Sequence, residues 1–265
     1  VDKFIVVESS YTHSGKRREL LFDEKKYTKF RDKISYLVLD NEPENLFKIN
    51  KEDNIDKKNS KYILNALKRE NLQRNYISNG LKDASYEDMI IISDVDEIPN
   101  LEKNNLKNLK NKIILFNQKF FYYKFNLKLH SFDWYGSKAC KKSKLISPQW
   151  LRNVKSKKYP FWRIDTIFSK TKYHDLHFLM NGGWHFSNMK SPEAIEKKMS
   201  TYLHHREYDL KPLGTKKIEE IMKNKKAIYN LRADMKADKF DNTQDLIVTD
   251  LNELPAYIQN NLEKY

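Results

Sequence analysis

Short apolar runs separated by long polar spans set the rhythm of this chain, and the runs read as strands placed among loops and helices. Phe4-Ile5-Val6-Val7 predicts a short buried strand ending at Glu8, followed by the polar loop Ser9 to Lys16, rich in turn formers. Ile34 to Leu39 predicts a second strand, closing at Asp40, and the charged span Asn41 to Lys58 a surface loop. From Ser60 to Asn79 the residues Ile63, Leu64, Leu67, Leu72, Tyr76 and Ile77 make a helical stripe, which Asn79-Gly80 stops. Met89-Ile90-Ile91-Ile92 is a continuous apolar run, which predicts a strand buried on both faces. Strand, strand, helix, strand in this order suggests a parallel sheet covered by helices.

The second half is more aromatic. Leu101 to Leu109 predicts a short helix or turn, and Ile113 to Phe116 with Phe120 to Phe125 predicts two strands of a hairpin or ribbon. Trp134 to Ser137 and Ser147 to Arg152 read as aromatic loop elements, and Gly182-Gly183 allows close backbone approach. Ser191 as N-cap, with Pro192 and Glu193 in the first turn, starts a helix. Its buried stripe is Ile195, Met199, Tyr202 and Leu203, and Lys197, Lys198, His204, His205, Arg206 and Glu207 follow its other faces and its end. Thr215 is expected to cap a further helix through Ile218, Ile221 and Met222. Asp234 to Asp250 reads as a loop, and Ala256 to Tyr265 as a terminal helix or tail. With no internal repeat and no Gly/Ser linker, residues 1–265 are expected to form one domain.

Composition adds a little. With 265 residues, 39% of them hydrophobic and 13% aromatic, the chain can form a core. A net charge of +14 implies either a solvated lysine-rich surface or attraction to anionic ligands: nucleotide sugars, acidic glycans, membrane surfaces or nucleic acid. The lone Cys140 excludes an internal disulfide and a cysteine-only metal site. It fits a reducing compartment, and a cytoplasmic location is expected. No run approaches the roughly 20 apolar residues of a transmembrane helix, and there is no Asn-x-Ser/Thr sequon. Val1-Asp2-Lys3 leads at once into a strand, so the parent protein is expected to extend further N-terminally.

The chemistry concentrates at Ser93-Asp94-Val95-Asp96-Glu97-Ile98-Pro99, where three carboxylates follow a buried strand. In open α/β sheets the strand ends are where ligands bind. Carboxylates this close need a cation, and a hard divalent ion is the natural one. Asp94 and Asp96 can both reach one ion, which can also hold a diphosphate. Trp134, like the other tryptophans and tyrosines of these loops, offers sugar rings a flat apolar face with a polar edge, and suits ordinary packing equally well.

These segments together resemble glycosyltransferase family 17, the family that includes β-1,4-mannosyl-glycoprotein β-1,4-N-acetylglucosaminyltransferase. The likeness rests on Val1 to Ser9, Thr12 to Lys16, Gln73-Arg74-Asn75, Ile91 to Pro99 and Gly182 to Ser187, with a weaker match at Leu254-Pro255 and Tyr257-Ile258. It implies a GT-A-like α/β fold, a mixed sheet flanked by helices, and members usually begin with a further strand and helix before the segment corresponding to Val1. It also implies a UDP-sugar donor, with N-acetylglucosamine the expected sugar, a glycan acceptor, and Mn²⁺ or Mg²⁺. In that picture Asp94, Asp96 and His185 are the metal ligands, and Glu8, Arg74, Asp94 and Lys198 hold the donor. Trp134 and Trp184 face the acceptor. Arg74, Arg152, Lys197 and Lys198 are candidates to steady the leaving diphosphate.

An inverting transfer needs a carboxylate base. Glu97 is the choice for its nearness to the metal pair, with Asp133, Asp165 and Glu193 as alternatives. Peripheral membrane association is a further expectation. The competing readings are a glycan-binding module without catalysis and a nucleic-acid-directed protein. No nucleic-acid-binding signature supports the latter.

Overall fold

The aromatic run that predicts a hairpin is instead one strand of ten residues, β5 (Ile113–Tyr122), nearly all of it buried. In the computed structural model, which describes residues 1–102, 106–130, 132–201, 208–209, 211–231 and 243–264, β5 is the middle of a seven-stranded mixed sheet. The chain divides into two compact units. The smaller comprises Val1–Ser85, Ser147–Gln149 and Glu196–Leu213; the larger comprises Tyr86–Ile146, Trp150–Ile195 and Gly214–Tyr265.

In the smaller unit β1 (Phe4–Ser9) and β2 (Ile34–Leu39) pair in parallel, Phe4 opposite Ile34 through Ser9 opposite Leu39. β1 is not the buried strand expected; Phe4 is exposed, and only Glu8 and Ser9 are buried. Helix α1 (Ile55–Tyr76) starts five residues earlier than its apolar stripe predicts, because Asn54 caps it by accepting the Lys57 N–H. Its buried positions are Asn65 and Ala66, whereas Leu64 is exposed. Asn65 closes on the Phe47 backbone in both directions, accepting from its N–H at 2.7 Å and donating to its carbonyl at 2.9 Å. The polar segment before α1 is therefore tied down.

In the larger unit β3 (Met89–Ile92) pairs antiparallel with β7 (Lys138–Lys141), and β7 pairs with the first half of β5. The expected strand buried on both faces is half-buried at Met89 and Ile91, and its partner runs antiparallel. The parallel pairing of this sheet lies instead between β5 and β8 (Leu176–Ser187), with a register shift between Phe116 and Gln118. β4 (Glu97–Pro99) pairs with the far side of β8, and the hairpin strand β6 (Leu127–Leu129) carries β9 (Leu246–Val248). β9 lies within the span read as a loop; the sequence 234–242 of that span falls outside the described residues.

Polar residues inside β5 explain why the run looks broken in sequence. Gln118 is fully buried, donating to Ser137 Oγ and accepting from the Ser137 N–H. The Asn117 side chain donates to Asp133 and Tyr135 at the register shift. One apolar cluster packs Leu106, Ile114, Phe116, Ala139 and Leu179, and a second packs Phe121, Phe186, Leu254 and Ile258.

Short helices complete the chain: α2 (Pro148–Asn153), α3 (Pro192–Met199), α4 (Thr215–Lys223) and α5 (Ala256–Gln259). Ser191 caps α3 as expected, its Oγ accepting from the Ala194 N–H, and Ile195 and Met199 are buried. Tyr202, Leu203, His204, His205, Arg206 and Glu207 lie outside the described residues. Thr215 is the first residue of α4 and not its cap; that place belongs to Gly214, at φ 79°. Leu101 to Leu109 shows one 3-10 turn, Leu106–Asn108, with 103–105 outside the described residues. Among the described residues no helix is long and apolar enough to cross a membrane.

Candidate active site

The chain passes from β3 to β4 in four residues, Ser93 to Asp96, and so from a strand beside β7 to a strand beside β8. The Glu97 N–H closes a turn on the Asp94 carbonyl at 3.0 Å, and the Phe186 N–H holds the Asp96 carbonyl at 2.8 Å. The Ser93 hydroxyl meets that of Ser137 at 2.7 Å, which joins the turn to the buried Gln118 pair.

The three acids of this turn have separate fates. Glu97 has a fully buried side chain. Its carboxylate accepts from both terminal nitrogens of Arg152 at 2.7 and 2.9 Å, from Trp134 Nε1 at 2.9 Å and from the Asp94 N–H at 3.0 Å. Arg152 also donates to Asp94 Oδ2 at 2.7 Å and to the Gly136 carbonyl. Burial alone would lower the Arg152 guanidinium, but Asp94 and Glu97 outweigh it and raise it. Four of the five guanidinium N–H groups are thus engaged within the protein. Glu97 is therefore the buried anchor of the turn, with no open face for an acceptor hydroxyl. Arg152 is the cation that lets the acids sit together.

Asp96 points elsewhere. Its Oδ1 lies 3.5 Å from His185 Nε2, brought there by the β4–β8 pairing, in which the next residue, Glu97, is opposite His185. His185 is buried. Its ring stacks on Phe120 at 4.2 Å between centroids and leans on Trp134 at 5.0 Å. Its Nδ1 is buried and has no hydrogen-bond partner among the described residues.

Among the described residues no group of three or more His, Cys, Asp or Glu side chains is arranged to hold a metal ion. Asp96 and His185 do suit two positions on one ion. Bonds of about 2.1 Å at roughly 90–110° put two donors about 3.0–3.5 Å apart. A divalent ion bound by few protein groups commonly completes its shell with substrate phosphates and water. Asp94, with one oxygen on Arg152, stands beside this pair in the turn. Burial pushes the Cys140 thiol up to about 12, against the smaller opposing effect of Lys112.

The remaining expected site residues are placed differently. Trp134 spends its indole N–H on Glu97 and packs against Phe120, Phe132 and His185, so it buttresses the turn. Trp184 donates to the Glu253 carbonyl at 2.6 Å and packs beside Phe186 and Leu254. It thereby fastens the Glu253 segment to β8.

Glu8, in the smaller unit, accepts from the Leu21 and Phe22 N–H groups, the Tyr36 hydroxyl and Arg18. Burial by itself would raise its carboxyl, but those four partners together hold it below the usual range. Burial first, then Glu8, pushes Tyr36 up to about 12. Glu8 thus organises the loop that carries Leu21 and Phe22. Arg74 pairs with Glu70 at 3.0 Å and donates to Gln149 at 2.6 Å. Lys198 sits half-buried in the last turn of α3.

Sequence reasoning missed Gly136. A Cβ there would collide with the Glu97 carboxylate and the Trp134 indole, so glycine is what allows the anchor to close. Gly183, at φ 135°, sits where a Cβ would strike the Ile98 carbonyl, as the paired glycines suggested.

The model of glycosyltransferase family 17 matches residues 1–265, the entire chain. No curated protein and no solved structure gives a match. With that match over the full length, and the acid turn and the Gly-Gly-Trp-His strand side by side in the fold, the chain belongs to glycosyltransferase family 17 and is a glycosyltransferase.

Proposed function

We propose that the protein moves a sugar from a UDP-sugar, N-acetylglucosamine first among them, to a hydroxyl of a glycan acceptor, with inversion and with Mn²⁺ or Mg²⁺. The observation that carries this reading is the Asp96–His185 pair, set 3.5 Å apart where the acid turn meets β8. These two residues would hold the ion, with Asp94 beside them. When bound, the ion supplies charge neutralisation to the departing diphosphate. The GT-A reading of the fold draws its support from the same place, an Asp-x-Asp turn at the end of a sheet strand.

The chain's own residues prepare the rest. Arg152, Glu97, Trp134 and the Gln118–Ser137 pair fix the turn, so that Asp96 does not have to reorganise when charge develops. Phe120 and Trp134 hold the His185 ring and keep water from its inner edge. With Glu97 buried, the base is assigned to Asp133, an exposed carboxylate next to Trp134, steadied by the Asn117 amide at 2.8 Å. It takes the acceptor proton as the new bond forms. Of the other candidates, Asp165 is committed to Arg163 and Lys172, and Glu193 to the start of α3.

The test is Asp96→Ala beside His185→Gln. Both are expected to lose metal-dependent turnover and metal-supported donor binding while thermal stability stays close to that of the parent for Asp96→Ala. Full turnover in Asp96→Ala would remove the metal role.

A further inference from the structure

The segment Lys155 to Lys172, between α2 and β8, carries five large apolar side chains that the fold leaves outside. Phe161, Trp162, Ile164, Ile167 and Phe168 are 87, 67, 69, 75 and 83% exposed. One such residue is ordinary; five within eight positions are not.

The loop is nonetheless well tied. At its neck the Lys155 N–H donates to the Thr171 carbonyl at 2.8 Å, and Trp150 Nε1 donates to the Lys170 carbonyl at 2.7 Å. Inside it Arg163 forks onto Asp165 at 2.6 and 2.8 Å, and Lys172 meets the same carboxylate at 2.7 Å. The buried Thr166 hydroxyl lies at hydrogen-bond distance from both the Arg163 carbonyl and the His174 ring. The polar groups thus fix the shape of the loop, and the apolar groups have no interior to enter.

We propose that this loop is a membrane-docking platform that seats the protein on an anionic lipid surface. Charge identifies the occupant. Lys155 and Lys170 at the neck, with Lys157, Lys158 and Arg163 between them along the chain, are exposed. The single acid of the segment, Asp165, is held by Arg163 and Lys172. An aromatic and aliphatic tip inside a cationic collar matches the boundary between acyl chains and anionic headgroups. A second copy of this chain would bring an identical cationic collar against the first. A free glycan offers no apolar phase for Ile164, Ile167 and Phe168. The proposal stands apart from the sugar-transfer reading, since docking needs neither donor nor metal.

Co-sedimentation of the full chain with phosphatidylcholine vesicles, with and without phosphatidylserine, tests it. Binding is expected to the anionic vesicles, falling steeply as salt rises. Trp162 is the exposed tryptophan, the other three being buried or half-buried. Its fluorescence should therefore shift to the blue and be quenched by brominated lipid, and Trp162→Phe should remove that signal. The variant Phe161→Ser/Trp162→Ser/Phe168→Ser should lose at least about tenfold in partitioning, with circular dichroism unchanged. Lys157→Glu/Lys158→Glu/Lys170→Glu should lose the anionic preference by at least about tenfold. Equal binding by the parent and the apolar variant would overturn the proposal. So would self-association in the ultracentrifuge that the apolar variant abolishes while vesicles stay unbound. An inactive protein that still docks would refute only the transferase reading.

Discussion

Replacing Arg152 by methionine removes the one guanidinium that holds two carboxylates at 2.7 Å. The Arg152 side chain is 14% exposed and that of Glu97 is fully buried, so solvent cannot take over. Breaking a buried pair from one side costs about 3–5 kcal/mol, because the partner's charge is left without its counter-ion. Glu97 keeps three donors, from Trp134, Ser137 and the Asp94 backbone, which places the loss at the lower end, about 3 kcal/mol. Glu97→Gln is milder. It leaves Arg152 paired with Asp94 and should cost about 1–2 kcal/mol. The double variant has no stranded charge at Glu97. It should therefore be more stable than the sum of the singles predicts, by at least about 1 kcal/mol. Urea unfolding followed by far-ultraviolet circular dichroism measures all four corners of this cycle. An Arg152→Met protein within about 0.5 kcal/mol of the parent, or single effects that simply add, would refute the anchoring role.

Three further outcomes are expected. Gly183→Ala should unfold at lower denaturant, by about 2 kcal/mol or more, since φ is 135° and the added methyl meets the Ile98 carbonyl; an unchanged midpoint would contradict this. Glu8→Gln bears on pH. The folded carboxyl is held below its ordinary value of 4.5, so its stabilisation is present above that value and is lost as pH falls through the folded value. Melting curves of parent and variant should differ at neutral pH and converge in acid, and a constant gap would sink the argument. Asp133→Asn should lose turnover while metal-supported donor binding persists, and retained turnover would move the base elsewhere.

The parts of this fold legible in the sequence are those fixed by neighbours along the chain. β2 runs over Ile34–Leu39 as read, and the Ser191-Pro192 signal places the start of α3. The acid turn at the end of β3 is visible too, because an apolar run from Met89 to Ile92, followed by acids and Pro99, needs only local pattern. What is not legible depends on distant partners. The polar residues Asn117 and Gln118 make β5 look like two strands, and only Asp133 and Ser137 show how a buried strand can carry them. Glu97 looks like an exposed base because Arg152, its counter-ion, lies 55 positions away. Trp184 looks like a sugar platform until the Glu253 carbonyl claims its indole N–H. The start of α1 is hidden because its first turns carry lysines and no apolar stripe, leaving Asn54 and the first-turn acid Asp56 as its signals.

Titration calorimetry of UDP-N-acetylglucosamine and other UDP-sugars into the parent and Asp96→Ala proteins, with and without Mn²⁺, reaches the central claim most directly. The account predicts binding by the parent that requires the ion and is lost in Asp96→Ala. Binding that is indifferent to the ion, or that survives in Asp96→Ala, would contradict it.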